Sequence, residues 1–241
     1  NHSGLVEKTG VKFQIYICGA KVWVEVLKVS GERYGSIDIY YLTTDVDEND
    51  YESRLNCEQL YHGNVERKIA NAIILGRGTV EACKRLNIPV NCWHINESHG
   101  VLAQVELALT NGVEHVRAKT VFTTHTPVLS GNPEYDIEKL NWMSGYDPDK
   151  LKVWGGKPFN MAAAGMRLAR KSNAVSKKHF EVCQKKWHWV FNSNSHNEFE
   201  KRFTYVTNGV NRGYWQYPEF RDVATVEDLK MAKRLYKRKL L

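Results

Sequence analysis

The chain has 241 residues, 42% of them hydrophobic and 25% charged, enough to bury a full core as one large domain or a domain and a half. Its five cysteines (Cys18, Cys57, Cys83, Cys92 and Cys183) are odd in number and form no CxxC pair, which argues against a disulfide framework or a zinc-thiolate site and fits a reducing, cytoplasmic setting. There is no run of about 18 apolar residues and no charged-then-apolar leader, so neither a membrane span nor a signal peptide is expected.

In chain order, "VKFQIYI" and "KVWVEVLKV" are β-rich and flank "CGA", which predicts two strands joined by a tight glycine turn. "GSIDIYYLTT" reads as a third strand, ending at the acidic loop "DVDENDYES". From Val65 to Asn87 the apolar residues Ile69, Ala70, Ile73, Ile74, Val80 and Ala82 follow helical spacing. Gly76 and Gly78 interrupt that pattern, and close packing against a neighbour or a substrate would explain them. "IPVNCWHIN" is a short buried-type strand, and "ESHGVLAQVELALTNG" an amphipathic helix stopped at Asn111-Gly112.

"RAKTVFTT" reads as the next strand, followed by the loop "HTPVLSGNPEYD". Helices are predicted from about Asn160 to Lys171 and from Ser176 to Trp187. "FNSNSHNEFE", residues 191–200, has the composition of a flexible loop, and "RFTYVTNGV" that of a strand ending in a turn. "TVEDLKMAKRLYKRK" is a final helix with Thr225 as N-cap. Much of the +7 net charge lies there; basic residues around Met231 and Leu235 read as a solvated helix face rather than a nucleic-acid arm. The alternation of strands and helices implies an α/β fold, Rossmann-like, with a mostly parallel sheet and helices on both faces.

Ligands of such sheets sit beyond the carboxyl ends of the strands. Two strands end in polar clusters: His94, Asn96, Glu97 and His99 after one, Thr123, Thr124, His125 and Thr126 after the other. If the strands are neighbours, both clusters open at one rim, and that mixture of donors and acceptors suits a polyhydroxylated ligand. Each cluster also has a plain structural reading, as the capped start of a helix for Asn96 to His99 and as a satisfied buried histidine for His125. His94 and His99 lack the HExxH spacing of a zinc site, and no metal is expected. There is no GxxxxGK[ST] and no GxSxG, and "GRG" in "ILGRGTV" is not GxGxxG.

Five blocks in order, "YYLTTDVDENDYESRLNCEQLYHGNVERKIANAIILGRGTVEACKRLNI", "WHINESHGVLA", "VFTTHTPVLSGNPEYD", "FNMAAAGMRLARKSNAVSKKH" and "VTNGVNRGYW", resemble the bacterial and archaeal α-glucan (glycogen or maltodextrin) phosphorylases. The resemblance implies one half of a GT-B glycosyltransferase fold and reversible, retaining phosphorolysis of α-1,4-glucan to glucose 1-phosphate. It implies His125 as the catalytic residue holding the reacting glucose, with Asn96, Glu97, His99 and Val175 lining the substrate side. Ser98 stands where that family often has glycine, and Asn211, Gly213 and Tyr214 depart from its usual residues. No counterpart of its N-terminal glycine-rich loop is found, nor of the C-terminal domain with its cofactor lysine and phosphate-binding residues. Residues 1–220 are therefore expected to form the sugar-binding N-terminal domain, lacking its start, and 221–241 a helix at the crossing to a missing C-terminal domain. On this resemblance the partners are α-1,4-glucan or maltodextrin, that missing domain, and a second copy in a homodimer. Pyridoxal phosphate belongs to the missing domain, no cofactor is expected on this chain, and the chain alone is expected to be inactive. A non-catalytic glucan-binding or regulatory domain and a glycogen-synthase-like transferase remain as alternatives.

Overall fold

Strict alternation sets the first element: Phe13, Ile15 and Ile17 are buried while Gln14 and Tyr16 face outward, so one side of a strand has a core to cover. A computed structural model describes residues 5–32, 37–59, 64–128, 131–191 and 196–238. Strands β1 (Glu7–Ile17) and β2 (Ala20–Val29) pair antiparallel with Ile17 opposite Ala20. The two turn residues between them, Cys18 and Gly19, have φ of 52° and 74°, the left-handed pair that a type I′ hairpin requires. Strand β3 (Ile39–Thr43) pairs with β2, and the three form an antiparallel sheet of their own. Of the strand expected over 35–44, residues 35 and 36 lie outside the described residues.

A short helix α1 (Tyr51–Arg54) precedes the long α2 (Val65–Arg85), whose start is capped by the Asn64 side chain. Gly76 lies where α2 meets α3 (Val101–Asn111): a Cβ there would be 2.5 Å from the Leu102 carbonyl carbon and 2.7 Å from the Ala103 nitrogen. A Cβ on Gly78 would lie 2.8 Å from the Leu42 side chain, so neighbour packing explains both glycines. Gly76→Ala is expected to lower stability by about 2 kcal/mol, read by thermal unfolding, because backbone rather than a flexible side chain stands in the way. An unchanged midpoint would show that α2 and α3 separate freely.

Between α2 and α3 runs β4 (Trp93–Asn96), and after α3 the chain differs from expectation. Gly112, at φ 86°, ends α3 but a second helix, α4 (Val113–Lys119), starts at once, so Arg117 to Lys119 are helical and β5 is confined to Thr120–Thr123. The next segment holds a two-stranded ribbon and two helices that the sequence reading passed over: β6 (Glu134–Tyr135), α5 (Ile137–Ser144), α6 (Pro148–Gly155) and β7 (Phe159–Asn160). Asp136 and Asp147 cap these helices with their side chains.

The helix expected to reach Lys171 stops earlier, as α7 (Met161–Leu168), and Lys171–Ala174 is strand β8. Helix α8 (Lys177–Trp187) begins with Ser176 accepting from the His179 N–H. Of the loop expected at 191–200, residues 192–195 lie outside the described residues, and helix α9 (His196–Arg202) leads into β9 (Phe203–Tyr205).

β4, β5, β8 and β9 form one wholly parallel sheet in that order, with Asn96 opposite Thr123 and Thr123 opposite Asn173. Helices α4 and α7 contact β5, and α8 contacts β8 and β9. Phe122, Phe159, Met161, Leu168 and Phe203 are among the fully buried core side chains.

The chain divides into two compact units after Val206. The second contains α10 (Arg212–Trp215) and α11 (Val226–Arg238). Thr225 and Asp228 cap α11 reciprocally: the Asp228 N–H donates to Thr225 Oγ1 at 3.1 Å and the Thr225 N–H to Asp228 Oδ2 at 3.0 Å. Within this unit Tyr236 lies 4.4 Å from Tyr217 and 5.5 Å from Phe220, measured between ring centroids. Met231 and Leu235 are exposed, in line with a solvated face.

Candidate active site

Parallel pairing of β4 with β5 brings the two polar clusters to one rim, because all four strands of a parallel sheet end on the same side. In-register pairing places Asn96, Thr123 and Asn173 in a row across that rim. The Thr123 hydroxyl donates to Asn173 Oδ1 at 2.8 Å and meets His94 Nε2 at 2.7 Å. Just beyond the row, Asn96 Oδ1 lies 3.0 Å from Nε2 of the exposed His125 ring.

Glu97 holds the two strand ends together. Its Oε1 accepts from the Thr124 hydroxyl at 3.4 Å, the Thr126 hydroxyl at 3.2 Å and the His125 backbone N–H. Its Oε2 accepts from the Ser98 N–H at 3.2 Å, while the Glu97 N–H donates to the Thr123 carbonyl at 2.8 Å. The backbone at Glu97 has φ 63° and ψ 173°, a region that side chains other than glycine rarely enter. A non-glycine residue stays there only because its surroundings fix it, and here the fixing groups are those hydrogen bonds. Glu97 thus acts on the protein, setting the path of residues 124–126.

The other expected site residues take different places. Val175 follows β8 and donates its N–H to His179 Nδ1 at 3.4 Å. His99, on the short 3₁₀ turn Ser98–Gly100, lines a cleft of about 650 Å³ together with residues of β3, α2 and the segment 131–135. The buried Ser98 hydroxyl joins that segment to the rim through Asn132 Oδ1 at 3.3 Å.

His179 is a neighbour of the rim that the sequence alone did not single out. It is buried on α8, its Nδ1 faces the Val175 N–H, and its Nε2 is buried without a hydrogen-bond partner. Burial holds its pKa below the ordinary histidine range, opposed by the Thr126 backbone and the Glu97 charge and reinforced by His125. Cys183, one turn further along α8, has its thiol pushed up to about 12 by burial, with Glu97 adding to the shift. Serine at the cap position followed three residues later by histidine was the available signal, but only the tertiary fold turns that histidine toward the rim. No group of three or more His, Cys, Asp or Glu side chains able to hold a metal forms among the described residues, and no helix among them is long and apolar enough to cross a membrane.

The family model of the starch synthase catalytic domain matches residues 6–193. The chain belongs to that family. This starch synthase-type domain is 36% identical over 95% of its length to an uncharacterised protein of Methanocaldococcus jannaschii. It is 30% identical over 78% of its length to maltodextrin phosphorylase of Thermococcus litoralis, and 32% identical over 88% to glycogen phosphorylase of Aquifex aeolicus. The chain spans only 43%, 24% and 33% of the lengths of these three relatives. Among solved structures, the catalytic domain of starch synthase IV from Arabidopsis thaliana, bound to ADP and acarbose, superposes with a TM-score of 0.65 at 13% identity, over 98% of this chain and 48% of that one. The parallel sheet with its helices is therefore one half of a GT-B glycosyltransferase fold.

Proposed function

We propose that this glycosyltransferase domain is the sugar-binding part of an enzyme that acts on α-1,4-glucan, and that its reaction is retaining phosphorolysis to glucose 1-phosphate. The observation that carries the reading is the single rim in which Asn96 orients the His125 ring while Glu97 holds the His125 backbone. With Asn96 Oδ1 accepting, Nε2 carries the imidazole proton and Nδ1 offers a lone pair to a glucose hydroxyl. A desolvated hydroxyl needs such a partner, since leaving it unpaired costs about 1–3 kcal/mol. A peptide fixed by Glu97 also makes the His125 carbonyl a preorganised dipole, able to face positive charge developing at the anomeric carbon without reorienting.

The names of two relatives, maltodextrin and glycogen phosphorylase, support phosphorolysis over other transfers. Glucosyl transfer from a nucleotide sugar is the second reading, favoured by the family model and the structural likeness to a starch synthase. The groups that build the rim are amides, hydroxyls, imidazoles and one carboxylate, with no lysine or arginine among them, a set that does not fit the phosphate of pyridoxal phosphate. No step is assigned to that group on this chain.

Calorimetric titration with maltoheptaose tests the reading. His125→Ala is expected to bind at least about tenfold more weakly than the parent, a loss of about 1.4 kcal/mol. Equal affinity would remove His125 from the sugar site. Glucose 1-phosphate formed from maltoheptaose and orthophosphate, set against elongation from ADP-glucose, then separates the two reactions in a protein that carries this chain with the further length its relatives have.

A further inference from the structure

Residues 124–126 carry His125 past the strand ends, and most of their polar groups are already held. The Thr124 N–H donates to the Asn173 carbonyl at 3.0 Å and the Thr126 N–H to Thr124 Oγ1 at 3.3 Å. Glu97 Oε1 takes the His125 N–H and both threonine hydroxyls. The Thr126 carbonyl accepts no hydrogen bond among the described residues.

His179 faces that carbonyl from α8. It lies in the first turn of the helix, where side chains lean back toward the helix start, and its Nδ1 accepts from the Val175 N–H at 3.4 Å. With Nδ1 accepting, the proton of the neutral ring is on Nε2. That nitrogen is buried without a hydrogen-bond partner. The Thr126 backbone is near enough to favour the charged ring, the effect of a carbonyl facing a ring N–H, but it is not aligned for a hydrogen bond. Two charges bear on the ring, Glu97 favouring its protonated form and His125 opposing it, and Cys183 one turn along is a neutral thiol. None of the three gives Nε2 an acceptor.

A buried donor without an acceptor is costly, and native proteins keep few of them. Here the missing acceptor belongs to the residue after His125, and a small shift of that loop supplies it. We propose that His179 is the positioning residue that seats the His125 loop on glucan: when the sugar engages His125, the Thr126 carbonyl closes onto the His179 Nε2–H while Nδ1 keeps its hold on Val175. The inference rests on the glucan reading of the rim. Glu97 holds the loop by its N–H and hydroxyl groups in the free protein, and His179 holds it by a carbonyl in the bound one. Part of the affinity for glucan is then the satisfaction of a donor that the free protein leaves unpaired.

Two substitutions separate the two nitrogens. His179→Asn places an acceptor near the Nδ1 position and removes the donor, whereas His179→Gln reaches the Nε2 position with an amide N–H and gives up the acceptor for Val175. Maltoheptaose is titrated by calorimetry into the parent chain, both variants and His125→Ala, with thermal melts of each. The asparagine variant is expected to melt near the parent yet bind about tenfold more weakly, and the glutamine variant to melt lower yet bind within about threefold of the parent. In the ¹⁵N-histidine-labelled parent, the His179 Hε2 resonance, assigned by its loss in His179→Asn, is expected to move downfield when maltoheptaose is added. That measurement needs no variant to bind. An unmoved resonance, an asparagine variant with the parent's affinity, or affinities that simply follow Tm would each overturn the role of His179. With His125→Ala still weakened, such a result leaves the rim reading intact. Equal binding by His125→Ala and the parent, or no binding by the parent, would overturn the rim reading and this inference with it.

Discussion

Replacing Arg77 with alanine is expected to lower the stability of the first unit by about 3 kcal/mol. From its place on α2 the guanidinium donates to Glu106 Oε2 on α3 at 3.1 Å, to the Tyr16 carbonyl on β1 at 2.9 Å and to the Ser144 carbonyl at the end of α5 at 2.9 Å. Its central carbon also lies 4.9 Å from the centroid of the buried Tyr146 ring. One side chain thus joins the antiparallel sheet, the two helices at the Gly76 crossing and the ribbon segment. Alanine would leave two carbonyls without donors and a carboxylate only 20% exposed without its cation. Removing one partner of a well-buried pair costs about 3–5 kcal/mol. The partial exposure of Glu106 lets water recover some of that, so the lower end is expected, a fall in Tm of roughly 6–12 °C. The double variant Arg77→Met/Glu106→Leu should regain only the part of the loss that comes from the unpaired Glu106 carboxylate, because the Tyr16 and Ser144 carbonyls still lack their donor. A single variant as stable as the parent would mean that these four contacts contribute nothing net.

That arginine illustrates how far the sequence could be read. The glycines flanking it were visible as a defect in a helix and as a failed phosphate motif, and close packing was one of the explanations they allowed. Its partners on β1, α3 and α5 were not visible, since hydrogen bonds to backbone carbonyls leave no trace in residue type. The hairpin was legible because Cys18-Gly19 sits between alternating strands. The cap at Thr225 was legible because Asp228 follows at the third helical position.

Strand β8 was not, because Lys-Ser-Asn-Ala has no β-branched or aromatic residue and follows a helix after only two residues. Its buried positions are the small Ser172 and Ala174, chosen by close packing rather than by strand preference. Missing β8 hid the place of Asn173, which completes the row beside Thr123. At the candidate site the two clusters and their shared rim could be expected from strand ends alone. The division of labour within them could not: His99 turns to the cleft, Glu97 to the protein, and His179 approaches from a helix about 80 residues away in sequence.

Glu97 offers the sharper test of the site, because substitution there separates two effects that a simple deletion would merge. Glu97→Ala removes the acceptor for the fully buried Thr124 hydroxyl, the His125 N–H and the Thr126 hydroxyl, yet keeps a side chain at φ 63°. A loss of about 3 kcal/mol is expected from unpaired groups of this kind. Glu97→Gly loses the same hydrogen bonds but adopts that backbone conformation without strain, which is worth about 1–3 kcal/mol. Stability by thermal unfolding should therefore fall in the order parent, Gly, Ala. Affinity for maltoheptaose should not follow that order. In both variants residues 124–126 lose the group that sets their path, so both should bind about a hundredfold more weakly than the parent, whatever their Tm. Glu97→Gln keeps one accepting oxygen but turns an amide toward the Ser98 N–H, donor against donor, and is expected to fall between parent and alanine in affinity. If the glycine variant recovered binding together with stability, strain relief alone would account for the role of Glu97. If alanine bound as the parent does, the path of the His125 loop would be set by the strand ends themselves, and the carboxylate would be a passenger at the rim.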